Sequence, residues 1–104
     1  MLTQEIELIK NQFVSRLSPK RIYLFGSFAE GRETEDSDYD FYIVVADGTG
    51  NLVDLTVEAY KSIRHVRTRA VDIIIGTENR FEGRKFKMGL EHEVMRKGVL
   101  LYAA

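Results

Sequence analysis

The 104-residue sequence contains no cysteine, a single proline and no apolar run long enough to cross a membrane. The absence of cysteine excludes a disulfide scaffold and any metal site built on thiolates. A transmembrane helix needs roughly 18 or more consecutive apolar residues, and no run approaches that length. The N-terminus alternates charged and apolar residues and lacks the apolar core of a signal peptide. We therefore expect a cytoplasmic protein without membrane attachment.

Charge of neither sign dominates the chain, but each half has its own excess. The formal net charge is −1 at pH 7, whereas a general nucleic-acid-binding domain is usually strongly basic. Residues 1–54 hold five Lys or Arg and ten Asp or Glu, and residues 55–104 hold ten and six. The densest acidic segment is residues 30–40, which contains Glu30, Glu33, Glu35, Asp36, Asp38 and Asp40.

The length predicts one domain spanning residues 1–104. Apolar residues at helical spacing predict helices over 2–17, 52–66 and 86–97, the first ended by Pro19 and the last by Gly98. Runs of β-branched and aromatic residues predict strands over 21–25, 39–46, 70–75 and 99–102, while residues 77–85 fit neither period. The order α-β-β-α-β-α-β predicts an α/β (α+β) fold with a small mixed sheet flanked by helices.

Two aspartates open the second predicted strand. Asp38 and Asp40 are two residues apart, so their side chains point the same way, and both carboxylates can bind one divalent cation or bridge two. Asp72 lies in the third strand and would join them if the two strands pair. In the alternative interpretation, Asp38 only caps a turn and Asp72 only discourages aggregation at a sheet edge.

A glycine-bearing loop precedes these aspartates. Gly26 and Ser27 follow the first strand, and backbone N–H groups exposed at such a turn hold phosphate oxygens. The spacing to Gly31 fits a P-loop, but Arg32 and Glu33 stand where that motif needs Lys and Ser or Thr. An EF-hand reading fails as well, because it places Phe41 where that loop requires glycine.

The combination of a glycine turn, an Asp-x-Asp pair and a later Asp resembles the nucleotidyltransferase superfamily that includes DNA polymerase beta. The resemblance rests on GSFAEGRETEDSDYDFYIVV and AVDIIIG, and the short chain is similar to the minimal nucleotidyltransferases (MNT) paired with HEPN toxins. It implies that Asp38, Asp40 and Asp72 are catalytic and hold two Mg²⁺ ions, and that Gly26, Ser27 and Arg32 bind ATP or another nucleoside triphosphate. Glu30 stands where minimal members often carry a basic residue.

The resemblance implies transfer of a nucleoside monophosphate, AMP by preference, to a hydroxyl acceptor by an antitoxin that modifies a HEPN toxin. The alternative is a catalytically weak binding module that neutralises a partner toxin by direct contact. Polymer synthesis on a nucleic-acid template is not expected, because no second domain is evident to hold one.

The basic residues of the second half have two interpretations. Arg64, Arg67 and Arg69 close the second predicted helix, and Arg84, Lys85 and Lys87 surround the start of the last. They are either solvated surface that complements helix dipoles or contacts for the triphosphate or an acidic partner. Tyr39, Phe41 and Tyr42 line either the core or a nucleotide pocket.

Overall fold

The computed structural model describes residues 3–104, which form five helices and four strands. Leu2, which the sequence predicts in the first helix, lies outside the described residues. The elements are α1 (Gln4–Leu17), β1 (Arg21–Phe25), α2 (Gly26–Ala29), β2 (Tyr39–Val45), α3 (Leu52–Ser62), β3 (Val71–Thr77), α4 (Glu78–Arg84), α5 (Leu90–Lys97) and β4 (Val99–Ala103). No helix within these residues is both long and apolar enough to cross a membrane.

The four strands form one mixed sheet in the order β3-β2-β1-β4. Strand β1 pairs antiparallel with both β2 and β4, whereas β2 and β3 are parallel. A parallel pair needs a crossover connection, which residues 46–70 supply by running over the sheet through α3. The predicted α/β class with a small mixed sheet is confirmed.

One face of the sheet is covered by α1 and α3. Ile6, Ile9 and Phe13 of α1 are fully buried and belong to one apolar cluster with the alternate strand residues Ile22, Leu24, Phe41 and Ile43. The rings of Phe13 and Phe41 meet edge to face at 5.2 Å, a favoured aromatic geometry. This cluster forms the larger part of the core.

The opposite face is only partly covered, by α4 and α5. Phe81 of α4 and Val94 of α5 are fully buried against Tyr42 and Val44 of β2. The first residues of β2 and β3 on this face lie outside that cover. Asp72 is exposed and Ile74 is 38% exposed, so this end of the face is open to a ligand.

The sequence misplaces the element ends between residues 62 and 90. Helix α3 ends at Ser62 instead of 66, because Val66 N bonds Ile63 O in the tighter turn that follows. The predicted helix over 86–97 begins only at Leu90, after Gly89 at φ +147°. A separate helix, α4, occupies 78–84, and its single buried apolar residue, Phe81, is too weak a periodic signal to predict it.

Candidate active site

The pairing of β2 with β3 brings two of the predicted site carboxylates together. Asp40 and Asp72 are direct partners in the parallel register. Asp38 lies two residues before Asp40, immediately before β2 begins at Tyr39. The condition on which the sequence prediction depended, that these two strands pair, is therefore met. Since β3 is also an edge strand, the role of Asp72 in discouraging aggregation stays open on position alone.

The turn at Gly26 lies directly against this pair. Gly26 follows Phe25, which pairs with Asp40 across β1 and β2. Its φ of +75° lies in the left-handed region, and a Cβ atom added there would collide with the Asp40 carboxylate. Only glycine can both turn the chain here and let the backbone approach the carboxylate. The glycine turn and the aspartate pair thus form one site.

Burial and mutual repulsion act on the Asp40 carboxylate. Partial burial first, and then the negative charges of Asp72 and Asp38, raise the pKa of Asp40 from 3.8 to about 6. Both burial and like charge disfavour the ionised form of a carboxyl group. A bound cation reverses this effect, so the electrostatics are those of a site that gains stability by taking one up.

The donor chemistry fits a divalent cation, although the carboxylates are not assembled around one. Within residues 3–104, no three His, Cys, Asp or Glu side chains are arranged closely enough to form a ready-made metal site. Carboxylate oxygens are the ligands that Mg²⁺ prefers, and Mg²⁺ sites usually use only one or two of them together with substrate phosphates. The donor chemistry of Asp38, Asp40 and Asp72 therefore fits Mg²⁺.

The other predicted nucleotide-binding residues lie on the loop that follows the glycine turn. Ser27 is half-buried in α2, and its carbonyl oxygen accepts a 2.9 Å hydrogen bond from Arg32 N. The Arg32 side chain is mostly exposed, with Nε 3.4 Å from a carboxylate oxygen of Glu30. Ser27 and Arg32 thus lie beside the turn, and Glu30 partly neutralises the one cation expected to hold phosphate.

These basic residues lie at the surface or along one cavity. Arg64 and Arg67 are exposed, and Lys85 pairs with Glu82 at 2.7 Å. Arg84 and Lys87 line a cavity of about 380 Å³ between α4 and α5.

Arg69 is the exception among the basic residues that the sequence places at the end of the second helix. It lies beyond α3, and its guanidinium is packed on the rings of Phe28 and Tyr39. The three aromatics that the sequence left unassigned, Tyr39, Phe41 and Tyr42, are all buried in the core.

A buried polar group that the sequence does not predict lies on the sheet face covered by α4 and α5. Glu91 is only 4% exposed, and its Oε2 accepts hydrogen bonds from Tyr42 Oη at 2.8 Å and Arg80 Nε at 3.1 Å. Burial alone would raise the pKa of Glu91, but these hydrogen bonds lower it. The sequence signal that could have predicted its burial is the spacing of three residues from Val94, which places both side chains on one face of α5.

Comparison with known proteins places this chain in a family. The model of the family described as Polymerase beta, Nucleotidyltransferase matches residues 7–104. A search of curated proteins gave no significant match.

Three solved structures share the fold. A proposed nucleotidyltransferase from Sulfolobus solfataricus is 22% identical over 96% of this chain and 78% of its own, with a TM-score of 0.66. A toxin–antitoxin complex with AMP-PNP is 22% identical over 98% and 75%, with a TM-score of 0.56. A mutant of the toxin–antitoxin MntA-HpeT with two Asp-to-Glu exchanges is 20% identical over 98% and 75%, also with a TM-score of 0.56.

At these identities the structural likeness establishes the fold, and the family match rests on the sequence itself. The match covers nearly all of the chain, including the glycine turn and the three aspartates on which the resemblance was based. The chain therefore belongs to the polymerase beta nucleotidyltransferase family.

Proposed function

We propose that the protein is a Mg²⁺-dependent nucleotidyltransferase, acting as a single domain over residues 1–104. It transfers a nucleoside monophosphate, AMP by preference, from ATP or another nucleoside triphosphate to a hydroxyl of a partner protein. The observation that carries the proposal is the Asp40–Asp72 pair, in register on adjacent strands and pressed against the left-handed turn at Gly26. Repelling carboxylates beside a backbone turn suit a cation-bound triphosphate.

Each site residue has a defined task in this reaction. Asp38 and Asp40 hold the cations, and Asp72 completes the site and accepts the proton of the attacking hydroxyl. When bound, Mg²⁺ supplies charge neutralisation at the transferring phosphate and acidifies the nucleophile. The Gly26–Ser27 turn holds the terminal phosphates, and Arg32 adds positive charge beside them. The hydroxyl attacks the α-phosphorus, and pyrophosphate leaves.

We propose that the acceptor is a HEPN-family toxin and that the protein is its antitoxin. Two of the structures with this fold are toxin–antitoxin complexes, one of them with AMP-PNP, an analogue of ATP. The two aspartates exchanged in the MntA-HpeT mutant are two positions apart, the same spacing as Asp38 and Asp40. This spacing supports the assignment of the pair as the reactive part of an antitoxin.

Transfer of label from α-labelled ATP to the cognate toxin tests the proposal. We expect Mg²⁺-dependent labelling by the natural protein and at least a roughly 100-fold loss for the Asp38→Ala, Asp40→Ala double variant, because removing cation ligands removes the main electrostatic stabilisation. The matched control is Asp36→Ala, an exposed aspartate of the same loop, which should label normally. Undiminished labelling by the double variant would exclude this assignment.

A second candidate function is neutralisation of the toxin by contact alone. It is favoured by the pairing of Arg32 with Glu30, which weakens the expected phosphate cation, and by the exposure of Phe86 and Met88, at 75% and 100%. In that case the double variant would neutralise the toxin as well as the natural protein does. Calorimetry of ATP with and without Mg²⁺ would then show no Mg²⁺-dependent binding.

A further inference from the structure

We propose that Arg69 is a positioning residue, which holds the acidic loop (residues 30–38) so that Asp38 stays beside the Asp40–Asp72 pair. The inference rests on the proposed function, because it concerns the same site. It assigns a task to a residue that touches neither substrate nor cation and acts through the backbone on either side of Asp38.

The backbone is tied down on both sides of Asp38 by neighbouring residues of one segment. Arg69 Nη1 donates to the carbonyl oxygen of Ser37 at 2.8 Å and to that of Glu35 at 3.1 Å. On the other side, Tyr39 N donates to the carbonyl oxygen of Ala70 at 3.0 Å. The position of Asp38 is therefore set by residues 69 and 70, which lead directly into β3 and Asp72.

The guanidinium of Arg69 also contacts the helix that begins at the glycine turn. Its central carbon lies 4.9 Å from the ring centre of Phe28 in α2 and 5.4 Å from that of Tyr39. The two rings are themselves 4.7 Å apart. A planar guanidinium stacks on aromatic faces in a way that an ammonium group cannot reproduce. Arg69 thus joins the phosphate turn, the acidic loop and β3 at one point.

The middle of the acidic loop, residues 33–37, has little else to hold it. Thr34 and Ser37 bond to each other, through Thr34 N to Ser37 Oγ at 2.8 Å and Ser37 N to Thr34 O at 3.1 Å. Among residues 3–104, only Arg69 reaches residues 33–37 by hydrogen bonds from outside the loop. Without Arg69, residues 33–37 would be bonded only to one another, between the bonds that hold Arg32 and Tyr39 at the two ends.

The bonds made by Arg69 leave the charge of Asp38 available. Its acceptors are neutral carbonyl groups, and within residues 3–104 it forms no ion pair with a site carboxylate. Arg69 Nε and Glu33 Oε1 are the buried side-chain polar atoms of the described residues that lack a partner. The guanidinium therefore acts on the backbone of the loop and not on the charge of the site.

The position of Arg69 is fixed in turn by its neighbour. Thr68 donates from both its backbone N and its Oγ1 to the carboxylate of Glu5, the latter at 2.8 Å, and Tyr39 Oη donates to the same carboxylate at 3.0 Å. Glu5 belongs to the first turn of α1. The segment that carries Arg69 is therefore attached to α1, the main helix of the core, and is held independently of the acidic loop.

The test compares Arg69→Lys, which keeps the charge, and Arg69→Met, which keeps apolar contact with the rings, with the exposed control Arg64→Lys. The loop carries Glu30, Glu33 and Glu35, so a glutamate-specific protease reports its order directly. We expect both Arg69 variants to be cleaved there about 10-fold faster, at a temperature where their unfolding curves show them fully folded. Mg²⁺ affinity, measured by calorimetry with a non-hydrolysable ATP analogue, should fall about 10-fold. In labelling, kcat should fall while KM for ATP stays nearly constant.

Cleavage and Mg²⁺ affinity within twofold of the natural protein for either variant would overturn the inference. If Arg69→Met fails to fold, Arg69→Lys decides alone. The Asp38→Ala, Asp40→Ala variant separates this failure from that of the proposed function. If the double variant loses Mg²⁺ binding while Arg69→Lys keeps it, only the role of Arg69 is refuted. If the double variant also binds Mg²⁺ normally, the proposed function is refuted as well.

Discussion

The repulsion within the carboxylate site predicts that one substitution there stabilises the protein in the absence of metal. The rise in the Asp40 pKa from 3.8 to about 6 corresponds to at most about 3 kcal/mol at neutral pH for a group fully removed from water. Because the carboxylate keeps part of its contact with solvent, we reduce the expected value to about 1 kcal/mol. Asp40→Asn removes this cost and should raise the unfolding temperature by about 4–8 °C.

The sign of this effect fixes its pH dependence. A carboxyl group whose pKa is raised by folding costs stability only where it is ionised, so the cost appears as pH rises through about 4 to 6. Thermal unfolding in EDTA should therefore show Asp40→Asn more stable at pH 8, with a gain that shrinks towards pH 4. Asp36→Asn, at an exposed position of the same loop, is the control and should change little at either pH.

Magnesium should invert the order of stability. A cation that binds only the folded natural protein stabilises it by about 1.4 kcal/mol at ten times its dissociation constant, and Asp40→Asn should lose most of that gain. The reasoning is refuted if Asp40→Asn is no more stable at pH 8 in EDTA, or if its gain persists undiminished at pH 4.

Further predictions follow from the core and the turn. Tyr42→Phe should destabilise the protein by about 1–3 kcal/mol in urea unfolding, because Glu91 loses its 2.8 Å donor while buried. The lowered pKa of Glu91 contributes stability above its ordinary value of 4.5 that is lost as pH falls, and this loss should shrink in Glu91→Gln. Gly26→Ala should cost about 1–2 kcal/mol from backbone strain alone and abolish nucleotide binding, as calorimetry would show. Phe13→Ala should cost about 3–5 kcal/mol in the same unfolding assay.

The sequence predicts the sheet well because its strands follow short-range patterns. Gly26 is predicted as a turn from its residue type, and the spacing of Asp38 and Asp40 predicts that they share one side of a strand, although Asp38 lies immediately before β2. The pairing of Asp40 with Asp72 could only be stated as a condition, because register across a crossover is set by packing that no local pattern encodes.

The positions that the sequence misses act through long-range contacts. In the sequence Arg69 is one more cation after a helix, and its stacking on Phe28 of α2 joins distant parts of the chain. From the sequence Glu91 is expected at the surface, and only the packing of α5 on Tyr42 buries it. The break between α4 and α5 is equally hidden, because Phe86, which completes the helical spacing, is left in solvent by the turn at Gly89.

Strand β3 joins the sheet by parallel pairing at one edge, and this pairing also completes the proposed site. Strand β3 has a single strand neighbour, β2, and on its free edge the hydroxyl of Tyr60 accepts a 3.0 Å bond from Ile73 N, which blunts the edge against pairing with other chains. Parallel pairing across a long crossover is slow, because loop entropy must be lost before the contacts form. Closing this ladder also sets Asp72 beside Asp40. The proposed cation site is therefore complete only once β3 has paired with β2.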